Sequence, residues 1–89
     1  MTDRLMLAPR LDLPATAELM SQLKDHDRDV VLDLSEVSYF GALCIQVVIA
    51  AATAVRVTGH DFSIVGASDR VVEQLRVMGL TPESIAEGR

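Results

Sequence analysis

The sequence predicts a single small α/β domain over residues 1–89, a largely parallel or mixed sheet of about three to five strands packed on about three to four helices. Three observations carry that prediction. Runs suited to strands, Leu5–Ala8, Val30–Leu34 and Phe62–Val65, alternate with segments of helical period at Pro14–Asp25, Ala42–Val57 and Asp69–Met78. The connections between them are short, which favours βαβ units with right-handed crossovers. Hydrophobic residues make up 49% of the chain and aromatic residues only 3%, so the core must be built of Leu, Val, Ile and Ala.

Each element has its own local reason. The first strand stops near Pro9, and Pro14 fits a first helical turn, where a missing N–H costs nothing. The helix that follows places Leu19, Met20 and Leu23 on one face and Glu18, Ser21, Gln22 and Lys24 on the other. Val30-Val31-Leu32-Asp33-Leu34 is apolar without strict alternation, the pattern of a strand covered on both faces. The second helix stops at Gly59, suited to the position after a helix C-terminus. Ser68 is placed to cap the third helix, with Asp69 at the positive end of its dipole and Val71, Val72, Leu75 and Met78 along its inner stripe. Thr81–Arg89, with Pro82 and Gly88, is compatible with a further helix or with a frayed end.

Composition narrows the function. A net charge of −5 with no basic cluster repels a phosphate backbone, which argues against nucleic acid as a partner. Cys44 is the only cysteine, so no disulfide forms within the chain, and a reducing, cytoplasmic setting is expected. No signal peptide is visible at the N-terminus. Tyr39–Val55 is nearly uncharged, but it contains Gln46 and Thr53, meets Arg56 and falls short of the roughly 20 apolar residues of a membrane span. No membrane insertion is expected.

The same composition leaves little for catalysis. His26 and His60 have no cysteine or second histidine at a metal-ligand spacing, and Asp25, Asp27 and Asp29 lack the glycine and closing glutamate of a calcium loop. There is no glycine-rich phosphate loop and no G-x-S-x-G elbow. Asp33 is a carboxylate in an apolar strand with no identifiable nucleophile or second base beside it. The expectation is a non-enzyme without cofactor or metal.

The second helix is apolar almost all round. At about 100° per residue, Cys44, Val47, Val48, Ala51 and Val55 share the side expected to face the sheet, which makes Cys44 a buried small hydrophobe. Ala42, Gln46, Ile49, Thr53 and Arg56 fall opposite, on the outward side. Near the helix start Ala42, Leu43, Ile45 and Ile49, with Tyr39 and Phe40 ahead of them, form a candidate apolar docking patch.

This region carries a family resemblance. Val31-Leu32-Asp33-Leu34-Ser35-x-Val37-Ser38-Tyr39 resembles the strand and turn of the STAS domain, the family of the anti-sigma-factor antagonists. Arg10-Leu11-Asp12 with Ala15-Thr16-Ala17 is similar to that family's entry into its first helix. Gly59-His60-x-Phe62-Ser63-Ile64-Val65 and Val71-Val72-x-x-Leu75-x-x-Met78-Gly79-Leu80 resemble its closing strand and helix.

The resemblance implies a protein–protein interaction module of bacterial signal transduction. Its partner would be a kinase-like anti-sigma factor or a chemotaxis or other two-component protein. An alternative is a soluble STAS-like subunit docked on the ATP-binding component of a lipid-type ABC transporter; a homodimer through the same patch is a third. The implied contact residues are Tyr39, Phe40, Gly41, Ala42, Leu43, Ile45, Gln46 and Ile49. The family's phosphoswitch motif is missing. Gly41 stands at its aspartate and Ala42 at the phosphorylated serine or threonine, with Leu43 and Cys44 at the next two positions. Ala42 has no oxygen to accept a phosphoryl group, so this is a degenerate phosphoacceptor position. Ser35 and Ser38 lie nearby, where turn serines commonly bond local backbone.

Overall fold

A computed structural model describes residues 2–24 and 28–88. Strand β1 (Thr2–Met6) leads through β2 (Arg10–Leu11) and a 3-10 turn (Leu13–Ala15) into helix α1 (Thr16–Leu23). Strand β3 (Asp29–Asp33) then leads through β4 (Tyr39–Phe40) into helix α2 (Ala42–Val57). The chain continues through β5 (Phe62–Val65), α3 (Asp69–Val77) and α4 (Pro82–Ala86). His26, Asp25 and Asp27, part of the polar connection after α1, lie outside the described residues.

Strands β1, β3 and β5 form a parallel sheet in that order, with Leu5, Leu32 and Ile64 in register. The short strands β2 and β4 pair separately, Arg10 with Tyr39 and Leu11 with Phe40. This small ladder lies beyond the C-terminal ends of β1 and β3, where α1 and α2 begin, and sequence patterning did not predict it. Two-residue strands are too short to show a period.

The sheet has one covered and one open face, which corrects the expectation of a strand buried on both sides. Val30, its register partner Phe62, and Leu32 are all buried at 2% exposure or less. On the opposite face Arg4, Val31 and Ser63 share a register, and Arg4 and Ser63 are exposed. Arg4 reaches along this face to Asp33 and lays its aliphatic stem on the open side. The first strand also begins earlier than its apolar run suggests, because its edge position tolerates Asp3 and the open face tolerates Arg4.

Helix α2 has the expected bounds but a different roll. Its buried residues are Cys44, Ile45, Val48, Ala52 and Val55, while Val47 and Ala51 are half-buried. At about 100° per residue the inner face is turned by about 50° from the expected one. The cause is α4, whose Ile85 is fully buried and which packs beside α2. The Arg56 guanidinium donates to the carbonyls of Ala86 and Phe62, both at 2.9 Å, and so ties α4 and β5 to α2. Helix α4 itself is fixed by a capping box in which the Thr81 and Ser84 side chains accept from each other's backbone N–H groups.

Two other expected inward residues differ. Met20 is 56% exposed at the seam between α1 and α2, although Leu19 and Leu23 are buried. In α3, Val71 and Leu75 are fully buried, whereas Val72 and, just after the helix, Met78 are 38% and 45% exposed at the margins of the stripe. Ser68 caps that helix as expected, accepting from the Val71 N–H.

Val48→Asp is therefore expected to abolish folding, since it places an unpaired carboxylate at a fully buried position. Ile45→Ala should leave a folded chain that is less stable by about 2–5 kcal/mol. Chemical denaturation followed by circular dichroism checks both. A stable Val48→Asp variant would contradict the burial of this face, and an Ile45→Ala variant as stable as wild type would contradict the roll of α2.

Candidate functional site

The site grows from the C-terminal end of β3. Asp33 is 7% exposed, and its two carboxylate oxygens are both engaged. Oδ1 accepts from the Ser35 N–H at 2.9 Å, and Oδ2 accepts from the Arg4 guanidinium at 2.9 Å. Hydrogen bonds from the Ser35 hydroxyl and N–H, then from Arg4, pull its pKa from 3.8 down to about 2. A carboxylate held that strongly in its charged form is a poor proton acceptor. Asp33 lines neither of the clefts beside α2. Its position is that of a structural anchor.

Gly66, immediately after β5, closes on the same carboxylate. Its φ is +75°, and an added Cβ would stand 2.9 Å from Asp33 Oδ1 and 3.1 Å from the Ser35 nitrogen. Only glycine satisfies both the conformation and the approach.

From this anchor the chain turns through Ser35–Ser38 into β4 and α2. Ser38 is held to the first strand segment, its N–H and hydroxyl both donating to the Pro9 carbonyl. The Phe40 N–H donates to Gln74 Oε1, which connects β4 to α3. Gly41 precedes α2 with no side-chain cap, and its N–H donates to the Leu11 carbonyl at 2.8 Å. A Cβ at position 41 would approach that carbonyl to 2.8 Å and the Tyr39 ring to 3.3 Å. The β2–β4 ladder thus occupies the space that any side chain at position 41 would need.

The proposed contact residues separate into two sets. Tyr39, Ala42, Leu43 and Gln46 are exposed, Tyr39 by 39% and Leu43 by 50%. Ile49 is half-buried against the core. Phe40, Gly41 and Ile45 are buried and lie beneath the surface, because β4 is clamped between β2 and α3 and because α2 is rolled.

Two surface residues at this end escaped the sequence reading. Leu13 is 73% exposed in the 3-10 turn. That turn is joined to α2 through Cys44, whose thiol donates to the Asp12 carbonyl at 3.5 Å and lies 3.6 Å from the Thr16 hydroxyl. Arg10 stacks over the Tyr39 ring at 5.1 Å and pairs with Asp12 at 3.1 Å. An apolar residue standing before Pro14, outside any helical period, was the available signal for Leu13.

Cys44 is buried and its thiol is unlinked to any other cysteine. Among the described residues no group of three His, Cys, Asp or Glu side chains stands together to hold a metal ion. No described helix is long and apolar enough to cross a membrane. The mouth of α2 presents exposed Leu13, Tyr39 and Leu43, with Arg10 over the Tyr39 ring, beyond the Asp33 anchor.

A family model described as "Mlab, STAS domain" matches residues 1–84. The chain belongs to the STAS domain family. No curated protein and no solved structure matches it.

The Asp33 anchor has a definite pH signature. Its pKa is lower in the folded chain than in the unfolded one, so its contribution to stability is full above about pH 4 and is lost as pH falls from about 4 towards about 2. Asp33→Asn should lower stability near neutrality and flatten the loss of stability over that acid range. Urea denaturation at a series of pH values checks this, and an unchanged acid slope would contradict the anchor.

Proposed function

We propose that the chain is a non-catalytic protein-docking module of a bacterial signal-transduction assembly, bound to its partner through the surface at the mouth of α2. The observation that carries this reading is the pairing of exposed Leu43 and Tyr39 with an α2 entrance made of Gly41, Ala42 and Leu43. The entrance offers a contact surface, while none of its three residues carries a hydroxyl, a carboxylate or a base on a side chain. Phosphorylation at the family's usual position does not switch this module, and control rests with the partner. Membership of the STAS family supports an interaction role. A kinase-like anti-sigma factor or a chemotaxis or two-component protein is the partner class that fits, in the cytoplasm.

A second reading is a subunit docked on the ATP-binding component of a lipid-type ABC transporter. It is favoured by the description of the matching family, which carries the name Mlab. Both readings use the same surface.

Leu43→Asp should fold with near-wild-type stability, because half of this side chain already meets solvent, and should lower recovery of the partner at least about tenfold. Affinity capture from native extract, with this variant beside wild type, checks the expectation. Recovery of a kinase or chemotaxis protein supports the signalling reading, and recovery of a transporter ATPase supports the second. Equal recovery with Leu43→Asp would contradict the docking surface itself.

A further inference from the structure

Resting on that docking surface, we infer that its partner presents an apolar socket rimmed by lysine and arginine. The reason lies in how the chain distributes its charge. Among the described residues, most arginines are bound internally. Arg4 holds Asp33, Arg10 holds Asp12, Arg28 lies 3.8 Å from Asp3, and Arg76 holds Glu73. Arg56 spends its donors on the Ala86 and Phe62 carbonyls. In a chain of net charge −5, few cations are then left to offset the exposed carboxylates among the described residues.

Topology places three of those carboxylates at the docking end. Glu18 lies in the first turn of α1, Glu36 in the turn between β3 and β4, and Asp69 in the first turn of α3, and all are exposed. In a parallel sheet the helices that follow the strands begin at the C-terminal edge, so these residues lie at the same end as Leu13, Tyr39 and Leu43, with Glu18 and Glu36 together beside Met6–Pro9. Arg70 is the cation at that end, among the described residues, not engaged by an internal partner. The result is an apolar centre with a predominantly acidic rim.

An acidic rim selects among occupants. A second copy docked by the same end would set this rim against itself, since a two-fold contact uses one patch twice. An anionic lipid surface would meet the same repulsion. A protein face with basic residues around an apolar pocket gains both long-range attraction and burial of Leu43.

The test compares wild type, Leu43→Asp and a rim-neutralised variant carrying Glu18→Gln, Glu36→Gln and Asp69→Asn, each first shown to be folded by circular dichroism. The protein recovered on wild-type beads and lost with Leu43→Asp is purified, and its association rate with each chain is measured at about 20 and about 300 mM salt. The wild-type rate is expected to fall about tenfold or more with salt. The rim-neutralised chain should start near the high-salt value and change little. A salt-independent wild-type rate, or a rim variant as fast as wild type at low salt, overturns the basic-socket inference and leaves the docking surface standing. Undiminished binding by Leu43→Asp, or no protein recovered on wild type, overturns both. Sedimentation of the chain alone provides the remaining outcome: self-association removed by Leu43→Asp would make the partner a second copy and overturn the inference.

Discussion

The C-terminal edge of the sheet depends on one carboxylate. Asp33 ends the central strand and binds Arg4 of the edge strand β1 and the backbone of the turn that leaves β3. Gly66, just beyond β5, packs against it closely enough to exclude a side chain. Three parallel strands are thereby joined at one point on an otherwise open sheet face. The turn, the β2–β4 ladder and the start of α2 are all built outward from that point. An open face on a parallel sheet is unusual, and the ion pair lying across it places the aliphatic stem of Arg4 over that face.

Much of this architecture was legible from residue order. The bounds of α2 and β5 follow from a polar turn on one side and Gly59 on the other, and the Ser68 cap follows from residue chemistry alone. The roll of α2 was not legible, because an apolar helix carries little directional signal and its orientation is decided by a neighbour. That neighbour, α4, is five residues long and rests on a capping box and one buried isoleucine. Phe40 and Ile45 therefore belong to the core although they looked like surface candidates. The edge strand was misplaced for the opposite reason. Arg4 is tolerated because it stands on the open sheet face, and Asp3, in register with Val30, because β1 is the edge strand.

The mouth of α2 combines an apolar helix start with a tightly packed backbone. Its sequence shows what it lacks, and its structure shows why the gap has been closed. The Leu11 carbonyl, the Tyr39 ring and the Gly41 backbone are packed so tightly that position 41 accepts no side chain without movement. The exposed residues above them are apolar or aromatic, and Arg10 is prearranged on Tyr39. Rigid aromatic and arginine groups of this kind lose little entropy on binding, which suits a surface whose proposed work is recognition. The cleft of about 580 Å³ between α1 and α2, lined by Met20, Val47 and Ala51, is a separate feature and begins below this surface.

The most direct measurement is amide chemical-shift mapping of the isotope-labelled chain titrated with its purified partner. The largest changes are expected at Leu13, Tyr39, Leu43 and Gln46, with the Asp33–Ser35 anchor unshifted. Changes confined to the cleft around Met20, Val47 and Ala51, or to the open sheet face around Arg4 and Ser63, would contradict that expectation.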